Sequence, residues 1–536
     1  MSATRADRSL GWLRVLALTL SFALLLLVAA AGPSAAKPGL GPRGWAPGDL
    51  PISLSSAGVT ALLWTAYLLG GLAVALGLWR SSNSDRHASG AGVWARTAHL
   101  QWLRDHSWLL PVALGALALL TAPIGSADHT NYAAYGRISA QGGDPYLVPP
   151  ITWAGGTDPV TSSVEPPWTL TPSVYGPFST ALQTLSSLVG QDNLRQTVWV
   201  WQLLIVGAWL LVRFLLRLTA VDDLARRRID LLWTANPVVF GVGVLGAHVD
   251  LIATALALAA VLLAARRPWA AGVVLGAAVS SKITYGIVGL AILWSWRSLA
   301  RKPLVRNTIA LAVSSLGVFV SLHLWAGPHV FEQLLKGGKG VSLATALRPV
   351  VNLLSAVMPL DAARTVGSAG SVVVFIVLAA LLSRLARSRA TAQQAPIEQP
   401  TSKVEPAQSA KTANQRQSAM TEHQTQSAMT ATFVLATAYA LAAPYALPWY
   451  SVLTWATLPL LLATTLDGIL LVQLTVMAMA YVPGRVVAMS PDVESLTLGF
   501  RKIVGPLAAW LVWLAIAGVA RRAWSQVPRA SRPPAS

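Results

Sequence analysis

The stretch WLLPVALGALALLTAPIGSADHTNYAAYG, residues 108–136, decides the fold, because an apolar run passes directly into a polar segment headed by Asp128. The run at 108–124 is close to the roughly 20 residues that cross the hydrocarbon of a bilayer. Asp128 therefore lies where a crossing ends, at a membrane surface. A carboxylate at that level can act as a base on a molecule presented from the lipid.

The rest of the chain shares this apolar character. Of its 536 residues 54% are hydrophobic and only 11% are charged, whereas soluble domains carry about 25% charged residues. We therefore predict an all-α polytopic membrane protein. The forty Lys and Arg lie in short clusters between apolar runs, so they indicate orientation rather than nucleic-acid binding. The chain has no cysteine, which excludes disulfides and thiolate chemistry.

Fourteen apolar runs are predicted to cross the membrane. They lie at 10–31, 57–79, 108–124, 197–217, 229–246, 249–265, 268–281, 283–296, 308–326, 366–386, 430–447, 451–466, 467–483 and 502–520. With this count all the basic clusters fall on one face, which places both termini in the cytoplasm of a plasma-membrane protein. The short run Phe178–Gly190 is interpreted as an interfacial or re-entrant helix, since a crossing there would export the cluster Arg226–Arg228.

The crossings define the organisation of the chain. N-terminal helices and a cytoplasmic loop occupy 1–107, and a core module occupies 108–388 with its outer loop at 125–196. Residues 389–429 contain no aromatic side chain and repeat Gln-Ser-Ala-Met-Thr at 417–421 and 426–430, which predicts a disordered cytoplasmic linker. A C-terminal module at 430–522 and a cytoplasmic tail at 523–536 follow. The first run has a second interpretation as a cleaved signal peptide.

Polar and aromatic residues recur at the outer ends of the crossings. They come from five loops that face one aqueous boundary: Asp128 and His129, His248 and Asp250, Lys282, Trp449 and Tyr450, and Arg485. Lys282 lies at the tip of two crossings of about 14 residues, which reach only about 21 Å, so its ammonium is expected near lipid headgroups, where it suits a phosphate. The loop from Gly125 to Tyr175 is rich in carboxylates, glycine, proline and aromatic residues, as a sugar pocket requires.

Each of these residues also has a purely structural interpretation. Asp128 can cap the helix that follows it, and Lys282 can extend to the headgroups as a topological anchor. Trp449 and Tyr450 can belong to an interfacial aromatic belt.

Together, the motifs resemble a known family. The order of Asp128, Tyr132-Ala133-Ala134-Tyr135-Gly136, Gly143-Asp144-Pro145-Tyr146, Tyr175-Gly176-Pro177, Asn236-Pro237, Gly246-Ala247-His248-Val249-Asp250, Ser281-Lys282 and Pro448-Trp449-Tyr450 is similar to that of the actinobacterial polyprenol-phosphate-mannose-dependent α-1,6-mannosyltransferases. These belong to the GT-C superfamily of integral-membrane glycosyltransferases. The resemblance covers residues 108–303 and the region near Trp449.

The resemblance implies a GT-C-like bundle of about 14 transmembrane helices with a large first extracytoplasmic catalytic loop. It implies inverting transfer of mannose from a polyprenyl-phosphate donor to a lipid-anchored α-1,6-mannan of the lipomannan or lipoarabinomannan type, on the outer face of the plasma membrane. One base suffices for such a reaction, and we expect neither a cofactor nor a divalent metal. His248 and Asp250 are the residues to inspect for a metal if that expectation is wrong.

The implied roles follow from residue type. Asp128 is the candidate base. The candidate ligands of the donor phosphate are Lys282, His248, Arg485 and Arg348. The candidates for contact with sugar or acceptor are His129, Tyr132, Tyr135, Asp144, Tyr146, Tyr175, Asp250, Trp449 and Tyr450.

Two other functions stay open. The donor sugar could be arabinofuranose or glucose, because no residue here encodes the epimer. A lipid-sugar flippase or secondary transporter is a second class, although transporters hold such residues at the bilayer midplane and show repeated halves, which this sequence lacks.

Overall fold

A computed structural model describes residues 5–87, 107–337, 340–393 and 406–525. This part of the chain is helical, and its extended pairing is limited to an isolated bridge between Ser34 and Lys37. The predicted all-α class is confirmed.

Eighteen helices are numbered here in chain order. They are α1 Arg5–Ala30, α2 Ser56–His87, α3 Leu109–Leu119, α4 Asp128–Ala140, α5 Pro177–Gly190, α6 Leu194–Thr219, α7 Asp223–Leu245, α8 Asp250–Ala264, α9 Pro268–Ser281, α10 Ile283–Ser295, α11 Arg301–Ala326, α12 His329–Gly337, α13 Arg348–Leu354, α14 Leu360–Gln393, α15 Pro406–Ala442, α16 Val452–Thr457, α17 Thr465–Tyr481 and α18 Pro491–Trp524.

Within the described residues, seven of these helices are long and apolar enough to cross a membrane, namely α1, α2, α6, α7, α11, α14 and α18. Five shorter apolar helices, α3, α8, α9, α10 and α17, accompany them. The protein is therefore a multi-pass membrane protein. The exact count of fourteen crossings stays a prediction.

Several of the long helices turn apolar side chains outward. Helix α11 exposes Ile309, Val313, Leu316 and Val320 along one stripe, with exposed fractions of 48% to 60%. Such a surface is costly in water and favourable in hydrocarbon, so these stripes mark the lipid-facing perimeter of the bundle.

Helix α7 forms the centre of the bundle. Its middle and C-terminal parts are buried, and Phe240 meets the rings of Phe22 at 5.4 Å and Trp209 at 5.5 Å. The helix contains π-helical turns at Asp230–Thr234 and Phe240–Leu245. Because α7 is held on all sides, its C-terminal end delivers the following residues to a fixed position.

Two ion-pair networks tie loops to opposite ends of the bundle. Beside the C-terminal end of α7, Asp49 accepts from Lys37 at 2.7 Å and from Arg195 at 2.7 Å. At the N-terminal end of α7, Arg228 binds Asp467 at 2.8 Å. These pairs are largely buried, so each network fixes a loop that connects distant helices.

The segment predicted to be a disordered linker differs from that expectation where it is described. Helix α14 continues to Gln393 and α15 begins at Pro406, so both extend into the predicted linker. Residues 394–405 lie outside the described residues. The same holds for most of the predicted tail and for Arg96 and Arg104, two of the basic residues used to orient the chain. Alanine and glutamine are good helix formers, which explains why a segment without aromatic residues can be helical. The run 451–466 is also broken, into α16 and a 3₁₀ turn at Leu458–Leu460.

Candidate active site

Asp128 opens helix α4 at the surface of the bundle. It is the first residue of the helix, and the cap position belongs to Ala127, which has no side-chain cap bond. The Asp128 side chain is 17% exposed, whereas residues 129–138 are buried. Its Oδ2 lies 3.4 Å from Nδ1 of His248. The carboxylate thus reaches solvent on one side and an imidazole on the other.

His248 is held by contacts to the backbone beside it and to its ring. The preceding residue, Ala247, has a left-handed φ of 52°, and its carbonyl accepts a hydrogen bond from Trp201 Nε1 at 2.8 Å. The His248 Nδ1 lies 3.5 Å from the Tyr132 hydroxyl oxygen, and its ring stacks on Trp449 with centroids 3.5 Å apart and planes 13° apart. This packing leaves the imidazole little freedom to leave Asp128.

A second charged pair lies next to the first. Asp250 is the first residue of α8 and is 2% exposed, and its Oδ1 accepts from Lys282 Nζ at 2.7 Å. The same ammonium lies 3.4 Å from the centroid of the Tyr450 ring, a cation–π contact. Oδ2 of Asp250 has no hydrogen-bond partner among the described residues.

The two pairs form one site because their members are neighbours in the chain. Only Val249 separates His248 from Asp250, while Trp449 and Tyr450 are consecutive. A single turn therefore supplies one member of each pair, and a single aromatic dipeptide covers both. Trp449 lies against His248 and Tyr450 against Lys282, although both residues could also have belonged to an interfacial aromatic belt.

A small cavity adjoins Lys282. It is lined by Asp250, Lys282, Tyr285, Tyr439 and Tyr450, with aliphatic side chains from α10, α15 and α16. The Tyr285 hydroxyl donates to the carbonyl of Asp250 at 2.9 Å. Sequence reasoning missed Tyr285 and Tyr439. Tyr285 could have been found from its position one turn after Lys282, and Tyr439 as a tyrosine within an otherwise apolar crossing.

Among the predicted sugar-contact tyrosines, Tyr132 and Tyr175 lie near the Asp128–His248 pair, whereas Tyr450 covers Lys282. Tyr132 meets the Tyr175 ring edge-on at 4.9 Å, next to His248. Tyr135 lies farther along α4, where its hydroxyl donates to the carbonyl of Thr171 at 2.9 Å. Tyr132 and Tyr175 therefore form the wall of the site, and Tyr135 supports that wall from behind.

Two further predicted contacts fasten the loop. Asp144 accepts from the Tyr146 amide at 2.8 Å and lies 2.7 Å from Nδ1 of His329 on α12. The Tyr146 hydroxyl is 2.7 Å from the Thr180 hydroxyl on α5. These bonds anchor the loop to α12 and α5, which gives both residues a structural role in this arrangement.

Arg485 and Arg348, the two arginines predicted to bind the donor phosphate, have other partners. Arg485 pairs with Glu165, its Nε donating at 2.8 Å, and its Nη1 donates to the Lys37 carbonyl at 2.8 Å. Arg348 donates to the Val341 carbonyl at 3.2 Å. The structure does not bring either guanidinium to Lys282.

His129 directly follows Asp128 in α4. It is 1% exposed, and both ring nitrogens lack a partner among the described residues. Burial lowers the pKa of His129 to about 3, although Asp128 beside it acts in the opposite direction. The imidazole is therefore neutral at physiological pH, and its predicted contact with sugar or acceptor stays a prediction.

The donor set does not form an evident metal centre. In the described ranges no group of three or more His, Asp or Glu side chains could hold a metal ion. What the arrangement offers is a partly exposed carboxylate beside an imidazole, with a second carboxylate, Asp250, two residues after that imidazole and paired with the ammonium of Lys282. This is acid–base and anion-binding chemistry at the end of transmembrane helices.

These features define the class: a multi-pass helical membrane protein with a charged site at one end of its central helix. The chain belongs to the family described as alpha-(1->6)-mannopyranosyltransferase, N-terminal domain, whose model matches residues 17–298. That match includes Asp128, His248, Asp250 and Lys282.

Individual relatives are similar over part of their length. Alpha-(1->6)-mannopyranosyltransferase A of Mycobacterium tuberculosis is 29% identical over 274 residues, 49% of this chain and 49% of that protein. A probable alpha-(1->6)-mannopyranosyltransferase of Mycolicibacterium smegmatis is 29% identical over 277 residues, 44% of this chain and 47% of that protein. Alpha-(1->6)-mannopyranosyltransferase B of Corynebacterium glutamicum is 31% identical over 88 residues, 16% of this chain and 14% of that protein. The chain thus spans about half the length of the first two relatives.

Proposed function

We propose that this protein transfers mannose from a polyprenyl-phosphate donor to an α-1,6-linked mannan acceptor. The observation that carries the proposal is the pairing of Asp128 with His248 directly beside the pairing of Asp250 with Lys282. The carboxylate of the first pair can accept the proton of an acceptor hydroxyl, and the ammonium of the second pair can bind a phosphate. Membership of the mannopyranosyltransferase family supplies the sugar and the linkage.

In the proposed reaction the acceptor hydroxyl oxygen attacks C1 of the donor mannose. The bond between C1 and the phosphate oxygen breaks, and its electron pair leaves with the polyprenyl phosphate. The hydroxyl proton passes to the carboxylate of Asp128, which its 17% exposure makes accessible. The configuration at C1 inverts, because bond formation and bond breaking occur on opposite faces.

His248 acts as a positioning residue in this scheme. Its Nδ1 lies near both Asp128 and Tyr132, and its stack on Trp449 fixes the ring. A fixed imidazole orients the carboxylate lone pair toward the acceptor. This geometry favours a role beside the base over the role in phosphate binding that the sequence suggested.

Lys282 binds the donor phosphate. An ammonium has three N–H donors. One is directed to Asp250 at 2.7 Å and the Tyr450 ring covers a second direction, so a third direction remains for a phosphate oxygen. The positive charge stabilises the phosphate as it gains charge on leaving. Asp250 then sets the direction of the ammonium rather than contacting the sugar.

The proposal includes a location. The site faces the extracytoplasmic side of the plasma membrane and both termini lie in the cytoplasm, as the clusters of Lys and Arg support. The donor and a lipid-anchored glycan acceptor of the lipomannan type are the proposed partners, and the reaction is proposed to need no divalent metal.

The test is mannose transfer from synthetic polyprenyl-phosphate mannose to a short α-1,6-mannoside, in membranes containing chelator. Asp128→Asn is compared with wild type and with Asp361→Asn, an exposed carboxylate outside the site, at equal expression. Loss of a general base lowers transfer by about 10²- to 10⁴-fold, and the control keeps wild-type activity.

Three outcomes would each contradict part of the proposal. Full transfer by Asp128→Asn would remove the carboxylate from its role as base. No transfer by wild type, with arabinofuranosyl or glucosyl donors active instead, would replace mannose as the donor sugar. Wild-type activity that disappears only with chelator would overturn metal independence alone.

A further inference from the structure

Helix α5, Pro177–Gly190, has its polarity reversed relative to a helix on a water-facing surface. The side chains that it buries are mostly small or polar: Pro177, Ser179, Thr180, Gln183, Ser186, Ser187 and Gly190. The side chains that it exposes are apolar, with Leu185 48%, Leu188 57% and Val189 49% exposed. A helix on a protein surface in water shows the opposite pattern.

The buried face packs by close backbone approach. A Cβ on Gly136 of α4 would lie 2.2 Å from the Gln183 carbonyl oxygen, and a Cβ on Gly190 would lie 2.1 Å from the Thr197 hydroxyl oxygen of α6. Small residues at helix contacts, with large apolar residues outside, are the pattern of helices that associate in lipid.

The surroundings of α5 are apolar as well. It packs against α6 and α11, and α11 carries the exposed stripe Ile309, Val313, Leu316 and Val320. On its other flank α6 exposes Leu203, Leu211 and Phe214. The chain has no charged residue from 166 to 191. The exposed face of α5 is therefore continuous with the lipid-facing perimeter, and nothing along it would hold it in water.

We infer that the exposed face of α5 lies among the acyl chains of the leaflet on the side of the site. The helix enters the bilayer without crossing it, because its 14 residues span only about 21 Å. It returns to the surface before α6 begins. Bilayer lipid is the occupant of this face, which goes beyond the proposed transfer reaction and does not depend on it.

This placement gives α5 a mechanical function. The Gly176 amide, just before α5, donates to the Ser281 carbonyl at 3.1 Å, next to Lys282. The contact at Gly136 joins α5 to the helix that begins with Asp128. One lipid-embedded helix thus contacts the elements that carry both charged pairs and sets their depth relative to the headgroups.

Because the sequence contains no cysteine, a spin label attaches only to a cysteine introduced by mutation. Single-cysteine variants Leu185→Cys and Leu188→Cys are spin-labelled in reconstituted full-length protein in phosphatidylcholine–phosphatidylglycerol vesicles. Collision rates are measured with oxygen, which concentrates in hydrocarbon, and with the water-soluble nickel chelate Ni-EDDA. Leu316→Cys on α11, 60% exposed, is the lipid control, and Asp361→Cys, 82% exposed, is the water control.

Both α5 labels should match the Leu316→Cys label, with oxygen collisions exceeding those of the chelate. Labels that match Asp361→Cys would place α5 in water and overturn the inference. Labels shielded from both reagents would show a protein partner, a second copy included, and would overturn it equally. The measurement is independent of sugar transfer, so its failure is distinguishable from failure of the proposed function.

Discussion

Replacing Lys282 by methionine should destabilise the protein as well as abolish transfer. Methionine keeps most of the side-chain length but leaves the Asp250 carboxylate without its 2.7 Å partner. That carboxylate is 2% exposed and its Oδ2 has no hydrogen-bond partner among the described residues, so water can replace the ammonium only in part. Removing one member of a buried ion pair costs about 3–5 kcal/mol, because the other is left as an uncompensated charge.

The matched variants are Asp250→Asn and the double variant Lys282→Met/Asp250→Asn. The double variant removes both charges, and a neutral replacement of a buried pair is often close to neutral in stability. It should therefore be more stable than Lys282→Met alone, with a coupling free energy of about 2 kcal/mol or more. Thermal unfolding in detergent measures stability, and the transfer assay on the same samples separates stability from function.

Three results would each refute part of this reasoning. If Lys282→Met melts at the wild-type temperature, the pair is not buried in the way the structure shows. If the double variant loses as much stability as the sum of the two single variants, Lys282 and Asp250 do not interact. If the double variant is stable and still transfers mannose, Lys282 is not a phosphate ligand.

The remaining predictions concern the stack of Trp449 on His248, the packing at Gly136 and the acid response of Asp158. Trp449→Leu removes a stack worth about 0.5–1.5 kcal/mol, so the rate of transfer should fall about two- to tenfold, whereas Trp449→Phe should keep the wild-type rate. Gly136→Ala puts a methyl group 2.2 Å from the Gln183 carbonyl oxygen, so it should lower the free energy of unfolding by about 1–3 kcal/mol and with it the Tm. Gly207→Ala adds its methyl group to open space and should leave the Tm unchanged. Asp158 has a lowered pKa in the folded protein. Its contribution to the free energy of unfolding is therefore complete above the unfolded pKa of about 3.9 and is lost as the pH falls through the folded pKa. Between about pH 5 and 3 the Tm of wild type should drop by more than the Tm of Asp158→Asn.

The lowered pKa of Asp158 has a local cause. Burial by itself would raise it, but the Thr161 and Val160 amides donate to one carboxylate oxygen at 2.9 Å, and Arg137 donates to the other at 2.8 Å. These contacts favour the ionised form. An equal acid response in wild type and Asp158→Asn would show that the contacts do not contribute to stability.

Much of the fold was accessible from the sequence because hydrocarbon imposes a simple requirement. A helix that crosses it satisfies its own backbone, so apolar runs of sufficient length identify helices without knowledge of their partners. The short apolar helices α8, α9 and α10 also lie within two residues of the predicted runs. The expected linker was less accessible, because a composition poor in apolar residues is compatible with either helix or disorder.

The position of the candidate site along the helix axes was likewise encoded in the local sequence. Asp128, His248, Lys282 and Trp449 each follow an apolar run, which places them at the end of a helix whatever the helix packs against. The predicted alternation of crossings requires that they meet at one end of the bundle, and the structure brings all four together.

The sequence by itself therefore determined that this is a helical membrane protein with chemistry-bearing residues at one level, because length and hydropathy along a helix axis are local properties. Only the tertiary structure decided the pairing: His248 with Asp128, Lys282 with Asp250, and Arg485 with Glu165 instead of a donor phosphate. Pairing depends on the rotation of each helix about its axis. That rotation is fixed by contacts between segments from 32 to 320 residues apart, which no local pattern records.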